Sequence, residues 1–226
     1  NFDGSILSVS QANTTAGFSI VTYNGEGDSQ ATVGHGLGVK PQVIIPKNRD
    51  ATGSWHMYHE GVDSSAPEDY GILLNATNAR SDDSGFHNDT APTSSVFTVG
   101  TYNNFDNDYV AYCFAEKQGY SKFGSYTGNG SENGSYIYTG FKPAWIIVKA
   151  TDADEWRIYD HKRANAFNVI NVRLKAHTTA AESQDDNECD FLSNGVKWRS
   201  NSGGVNSSGQ EYIYMAFAEH PFVSSE

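Results

Sequence analysis

Cationic residues are scarce in this chain: 15 Lys and Arg stand against 27 Asp and Glu, leaving a net charge of −12 with His neutral. Affinity for phosphate rests on clustered Lys and Arg, so this balance argues against nucleic acid and against anionic membrane surfaces as partners. Long apolar runs are missing as well. None approaches the ~18 residues a membrane helix needs, so no membrane insertion is expected and the chain reads as soluble. Residues 1–17 have neither a charged n-region nor an apolar core, and the sequence opens on Asn1, so it reads as a fragment or processed product with a connector at its N-terminus. Two cysteines, Cys113 and Cys189, are too few for a disulfide framework and lack metal-ligand spacing. Cys113 lies in an apolar run and reads as a small buried hydrophobe; Cys189, between Glu188 and Asp190, reads as exposed. Six Asn-x-Ser/Thr sequons, such as those at Asn75 and Asn129, are what chance supplies in an Asn- and Ser-rich chain.

What is plentiful points to β-structure. Glycine contributes 22 residues and aromatics 13 % of the chain, a mixture of turn formers with Tyr, Phe and Val that suits many short strands and is foreign to disordered segments. Laid over itself at a shift of about 102, the chain repeats. Tyr23, Gly25 and Gly27 match Tyr126, Gly128 and Gly130. Residues 38–47, with Lys40, Pro41, Ile44 and Ile45, match 140–149, with Lys142, Pro143, Ile146 and Ile147. Trp55 and Tyr58 match Trp156 and Tyr159, and the run 109–116 matches 212–219. A duplication follows, with an N-terminal connector over 1–17, a first copy over 18–120 and a second over 121–226.

Each copy predicts a strand ending in a Tyr-x-Gly-x-Gly turn, a Lys-Pro corner, a β-branched strand at 42–46 or 144–148, and a half-buried strand at 55–59 or 156–160. Residues 70–75 and 94–99 in the first copy, and 168–174 and 194–198 in the second, also read as strands. Pro46 stands where the second copy has Val148 and marks a bulge or an edge. The closing runs 109–115 and 212–218 are nearly continuously apolar, which places each in the middle of a sheet with another layer above it. Weak helical character is confined to 178–186, and no long helix is expected. The fold class is therefore all-β: two duplicated antiparallel β-sandwich repeats of jelly-roll or lectin-like type packed into one module, with a single sandwich of the whole chain as the competing topology.

Several stretches resemble a known family. Residues 17–23 (Gly17 to Tyr23), 33–41 with Gly34, His35 and Gly36, 91–97, 122–130 and 190–195 are similar to a tandem-repeat family of tailed-bacteriophage tail-fibre and virion structural proteins. The resemblance covers the chain from Asp3 onward. It implies a location on the phage particle, partners among other virion proteins or further copies of itself (a homotrimer, as in many fibres), and adhesion to a host-surface glycan or a role in assembly. It brings no catalytic residue.

The residues themselves offer little for catalysis. Asp152, Asp154 and Glu155 sit in a turn, whereas a sandwich glycosidase presents its carboxylates along a strand, so no enzymatic role is expected. His56 and His59 are three apart on a strand and point to opposite faces, which separates them as metal ligands. No cofactor is expected; Asp106 and Asp108, in the loop 103–108, are the candidates for calcium, though the matching loop 206–211 keeps only Glu211. Aromatic side chains near loops are the stronger lead, because sugar rings pack on them while Asn and Asp take the hydroxyls. Trp55 and Trp156 recur at equivalent positions, which suits a core role as well as a glycan platform. Trp198, Tyr102 and Phe105 suit the surface better. A concanavalin-like glycan-degrading enzyme and a cellular carbohydrate-binding module are the alternatives to the virion reading.

Overall fold

The computed structural model describes residues 1–27, 30–163 and 168–221, without the side chains of 185–187. The chain is all-β, with several antiparallel sheets. Its backbone divides into two compact units: Asn1–Leu74 with Arg80–Glu116, and Asn75–Ala79 with Lys117–Glu226. Helix is limited, among the described residues, to single turns, and none is long and apolar enough to cross a membrane.

Among the described residues, unit 1 contains nine strands: β1 (Ser8–Asn13), β2 (Phe18–Asn24), β3 (Thr32–Gly34), β4 (Val43–Asn48), β5 (His56–His59), β6 (Tyr70–Leu73), β7 (Ser81–Asp82), β8 (Val96–Thr98) and β9 (Asp108–Phe114). Seven of them form one sheet in the order β1-β2-β9-β4-β5-β6-β7, and β3 pairs with β8. β9 lies in the interior of its sheet, as its apolar run predicts, flanked by β2 and β4. Period-two alternation turns Val21 and Tyr23 of β2 and Tyr109, Ala111 and Cys113 of β9 to one side, where they pack with Val33, Ile44, Tyr58 and Phe97. Residues 1–17 are more than a connector, since β1 pairs with β2 without a break from Ser8↔Tyr23 to Asn13↔Phe18.

Unit 2 contains β10 (Ser121–Thr127), β11 (Tyr136–Tyr138), β12 (Pro143–Ala150), β13 (Arg157–Asp160), β14 (Ile170–Arg173), β15 (Ser183–Leu192), β16 (Gly195–Trp198) and β17 (Glu211–Ala218). They form two four-stranded sheets, β10-β17-β12-β13 and β11-β16-β15-β14. Ile146 and Val148 of the first sheet and Phe191, Val196 and Trp198 of the second belong to one hydrophobic core. The stretch expected to be weakly helical instead leads into β15, which pairs with β14 at Ser183, Gln184 and Cys189 and with β16 from Cys189 to Leu192. Pairing with the neighbouring strands β14 and β16 overrides local propensity there. Cys189, expected at the surface, is fully buried, because it faces inward opposite Trp198 while the charged Glu188 and Asp190 flank it.

Pro46 explains one difference between the units. The Arg49 N–H donates to the Asp108 carbonyl (2.8 Å), so by antiparallel alternation Lys47 and Ile45 bond to β9, and the nitrogens of Ile44 and Pro46 face β5. Proline has no hydrogen to offer there, and the β4–β5 ladder stops at Val43↔His59 and Ile44↔Tyr58. With Val148 in its place, β12 pairs with β13 over four residues, Trp145↔Asp160 to Val148↔Arg157.

Candidate functional site

The loop after β8 in unit 1 is held from below by two tyrosines. The rings of Tyr23 and Tyr109 stack at 5.1 Å and 8°, and the Tyr23 hydroxyl donates to the Asn103 carbonyl (2.9 Å). The Tyr109 hydroxyl accepts the Phe105 N–H (3.2 Å). Buried Asn104 then ties the loop to the Tyr-x-Gly-x-Gly turn: its Oδ1 accepts the Glu26 N–H (3.1 Å) and its carbonyl the Gly27 N–H (2.6 Å). A Cβ on Gly25 would stand 2.0 Å from the Phe105 carbonyl oxygen, so only glycine lets loop and turn close on one another.

On this braced loop two aromatic side chains face solvent, Tyr102 (40 % exposed) and Phe105 (56 %). The Tyr102 hydroxyl donates to Asp83 Oδ2 (2.6 Å), and Asp83 Oδ1 accepts the Gly85 N–H (2.8 Å). Those two hydrogen bonds, the tyrosine's first, hold the Asp83 carboxyl below its usual range. Beneath Tyr102 lie the His56 ring (5.5 Å) and, edge-on, the Phe86 ring (5.4 Å). His56 Nδ1 pairs with Asn103 Oδ1 at 2.7 Å, and burial draws its pKa down, so at neutral pH an uncharged imidazole sits below an ionised carboxylate. His87 is buried more deeply: its ring meets Tyr58 edge-on at 5.4 Å, and desolvation pulls it down to about 3. His87 Nε2 and the Tyr58 hydroxyl are buried without a hydrogen-bond partner among the described residues.

Of the residues singled out by sequence, Tyr102 and Phe105 share this loop. Trp55, half-buried, stacks on Tyr112 at 6.3 Å. Trp156 is buried, its backbone N–H donating to His177 Nδ1 (3.3 Å). Trp198 is a correction: no part of it reaches the surface, and its indole packs between Tyr126 (6.0 Å) and Tyr159 (5.6 Å). Lys197 and Arg199 make the segment look exposed, but strand alternation sends only the residue between them inward. Asp106 and Asp108 are not brought into a cation cage. The Asp108 carboxylate faces Arg49 (3.6 Å) and accepts from Asn24 Nδ2 (3.3 Å), and no group of three or more His, Cys, Asp or Glu positioned for a metal occurs among the described residues.

The sequence reading missed two features of unit 2. Tyr136 and Tyr138 stand exposed on one face of the edge strand β11, with the Tyr136 hydroxyl donating to Asn194 Oδ1 (2.7 Å); the alternation Tyr-Ile-Tyr is the signal that could have found them. The second is a buried ionic cluster. Glu188, almost fully enclosed, accepts from Arg173 Nη1 (2.7 Å) and from the Tyr159 hydroxyl (3.1 Å), with Arg157 Nη1 at 3.6 Å. Arg157 also donates to Ser202 Oγ (2.9 Å).

No curated protein and no solved structure is similar enough to be matched. Residues 1–221 match the family described as Domain of unknown function (DUF7483), and the chain with its paired-tyrosine loops belongs to that family.

Proposed function

We propose that this chain is a non-enzymatic module of a phage particle, a tail-fibre or decoration element, that adheres to a host-surface glycan through the loop end of unit 1. In this reading the two units descend from one duplicated β-sandwich, and the repeated positions build scaffold while the divergent loops meet the ligand. The family resemblance of the repeat motifs supports the phage setting. The observation that carries the adhesive role is Tyr102 with Phe105, two solvent-facing rings on a loop pinned by Tyr23, Tyr109 and Asn104. A ring fixed in advance, as Tyr102 is by Asp83, His56 and Phe86, loses little conformational freedom on binding a sugar face, and Asp83 stands beside it as an acceptor for hydroxyls. Unit 2 offers Tyr136 and Tyr138 as a second, flatter aromatic surface.

The test is a glycan array on the 226-residue chain, with and without chelator. Retention that does not depend on calcium and falls at least tenfold in the double variant Tyr102→Ala/Phe105→Ala, with an unchanged melting temperature, supports the reading. Turnover of a bound glycan, or retention untouched by the double variant, overturns it.

A further inference from the structure

The N-terminal strand has a property found nowhere else in the chain. Residues 4–25 contain no Asp, Glu, Lys, Arg or His, although charged residues make up 19 % of the sequence and the net charge is −12. This neutral stretch forms β1 and β2, and β1 is the terminal strand of the seven-stranded sheet. Exposed sheet edges are normally guarded by charge, proline or a bulge, since their unpaired N–H and C=O groups are a template for another strand. β1 has none of these guards. Its six residues, Ser-Val-Ser-Gln-Ala-Asn, run in unbroken register with β2, and Gln11, Ala12 and Asn13 are exposed.

Which backbone groups face outward follows from the ladder. The Gly25 N–H donates to the Asn107 carbonyl (2.9 Å), extending the bonded pairs of β2 with β9 through Tyr23 and Val21. Ile20 and Thr22 therefore turn the other way and bond to Gln11 and Val9 of β1. Ser8, Ser10 and Ala12 are left with N–H and C=O directed away from the sheet. Ser8 bears this out: its N–H donates to the Asn1 carbonyl (3.3 Å), and its own carbonyl accepts from the Asn1 amino group (2.5 Å). Asn1 closes the edge at one end, and the turn after Asn13 closes it at the other. Between them Ser10 and Ala12 remain open. Leu7 (61 % exposed) and Val9 (73 %) add apolar side chains on the face beside the edge.

We propose that β1 is a self-association edge and that its occupant is β1 of a second copy of this chain. An open segment bounded symmetrically about Gln11 is self-complementary in antiparallel pairing. Ser10 exchanges both backbone bonds with Ala12 of the second copy, Ala12 does so with its Ser10, and Gln11 faces Gln11 on the two-fold axis. Charge selects this contact, since two chains of net charge −12 repel one another over most of their surfaces and meet without penalty where neither bears charge. Isologous pairing uses up the edge on both copies, so the assembly stops at two. The inference is independent of the glycan reading.

The experiment uses the full chain. Sedimentation or light scattering across a concentration series is expected to show a monomer–dimer equilibrium. Ala12→Pro removes an outward N–H without touching the bonds to β2, and it should raise the dissociation constant at least tenfold with no loss of melting temperature. Register is tested by cysteine. Cys113 and Cys189 are buried, so Gln11→Cys provides the accessible thiol. A non-hydrogen-bonded pair sets the two Cα atoms about 4.5 Å apart, within disulfide reach, and oxidation should yield a covalent dimer. Asn13→Cys faces Val9 of the second copy and should yield none. A chain that stays monomeric at every concentration, one that forms trimers, or equal crosslinking of the two cysteine variants overturns the proposal.

Discussion

The same frame carries opposite contents in the two units. In each, a tyrosine pair is stacked under a loop, Tyr23 on Tyr109 (5.1 Å) and Tyr126 on Tyr212 (5.0 Å), and an asparagine, Asn104 or Asn206, ties that loop to a glycine turn. The glycines are equally constrained, Gly25 against the Phe105 carbonyl and Gly128 against that of Ser207 (a Cβ would lie at 2.2 Å). Above the frame the units part. Where unit 1 has His56, Phe86 and Tyr102 in mutual ring contact, the positions about 102 further on hold Arg157, Glu188 and Gly204. Unit 2 fills the space with an ion pair and leaves its loop, residues 199–211, without an aromatic side chain. Unit 1 fills it with rings and presents one of them to solvent. A shared frame with different filling teaches that binding chemistry should be sought where the units differ.

The comparison breaks most severely in the core of unit 2. Glu188→Gln leaves Arg173 and Arg157 enclosed without their carboxylate, which is expected to cost about 3–5 kcal/mol, measured by denaturant unfolding. Trp198→Ala should cost a similar amount, about 3–5 kcal/mol, from the cavity it opens. A Trp198→Ala protein of wild-type stability would return that residue to the surface and dissolve the contrast with Tyr102. Exchanging the Pro46/Val148 difference comes next. Val148→Pro withdraws a ladder hydrogen bond and strands its acceptor on β13, a loss of about 1–3 kcal/mol in chemical denaturation.

How much of this was visible in the sequence depends on which side of a strand carried the signal. β9 and β17 were legible because apolar residues continue through them, and the Tyr-x-Gly-x-Gly turns because positive φ at Gly27 and Gly130 admits little else. Cys189 and Trp198 were not, because each is a buried residue set between charged neighbours, and charge dominates a short window. β1 was passed over as a connector because an edge strand with few apolar residues looks like a loop until its partner is known. Tyr102 and Phe105 could be named as candidates, but the grouping of His56, Phe86 and Asp83 around Tyr102, from β5 and the turn after β7, could not: long-range pairing assembles it.

Acid should separate the units more gently. An unfolded His87 titrates near 6.5, whereas in the fold it stays neutral down to about 3. The unfolded chain thus binds a proton that the folded chain refuses, so the stability this residue contributes is complete above about pH 6.5 and is lost as pH falls toward 3. His87→Phe should flatten that part of the stability profile, read by thermal melts at a series of pH values; an unchanged slope would remove His87 as its source. The smallest effect belongs to Pro46→Val. It restores about 1 kcal/mol of hydrogen bonding toward β5 but returns about 0.4–1 kcal/mol of chain entropy to the unfolded state, so it should be nearly neutral. A clear gain would mean that β5 is held back by Pro46 alone.

The placement of the indoles has a practical side. Trp145, Trp156 and Trp198 lie in unit 2, and unit 1 has only the half-buried Trp55, stacked on Tyr112. Intrinsic fluorescence will therefore follow the melting of unit 2, with blue-shifted emission from Trp156 and Trp198 as its native signature. Damage confined to the loop that carries Tyr102 and Phe105 can pass unseen by that spectroscopy, and folding controls for variants at those two positions need a probe seated in unit 1.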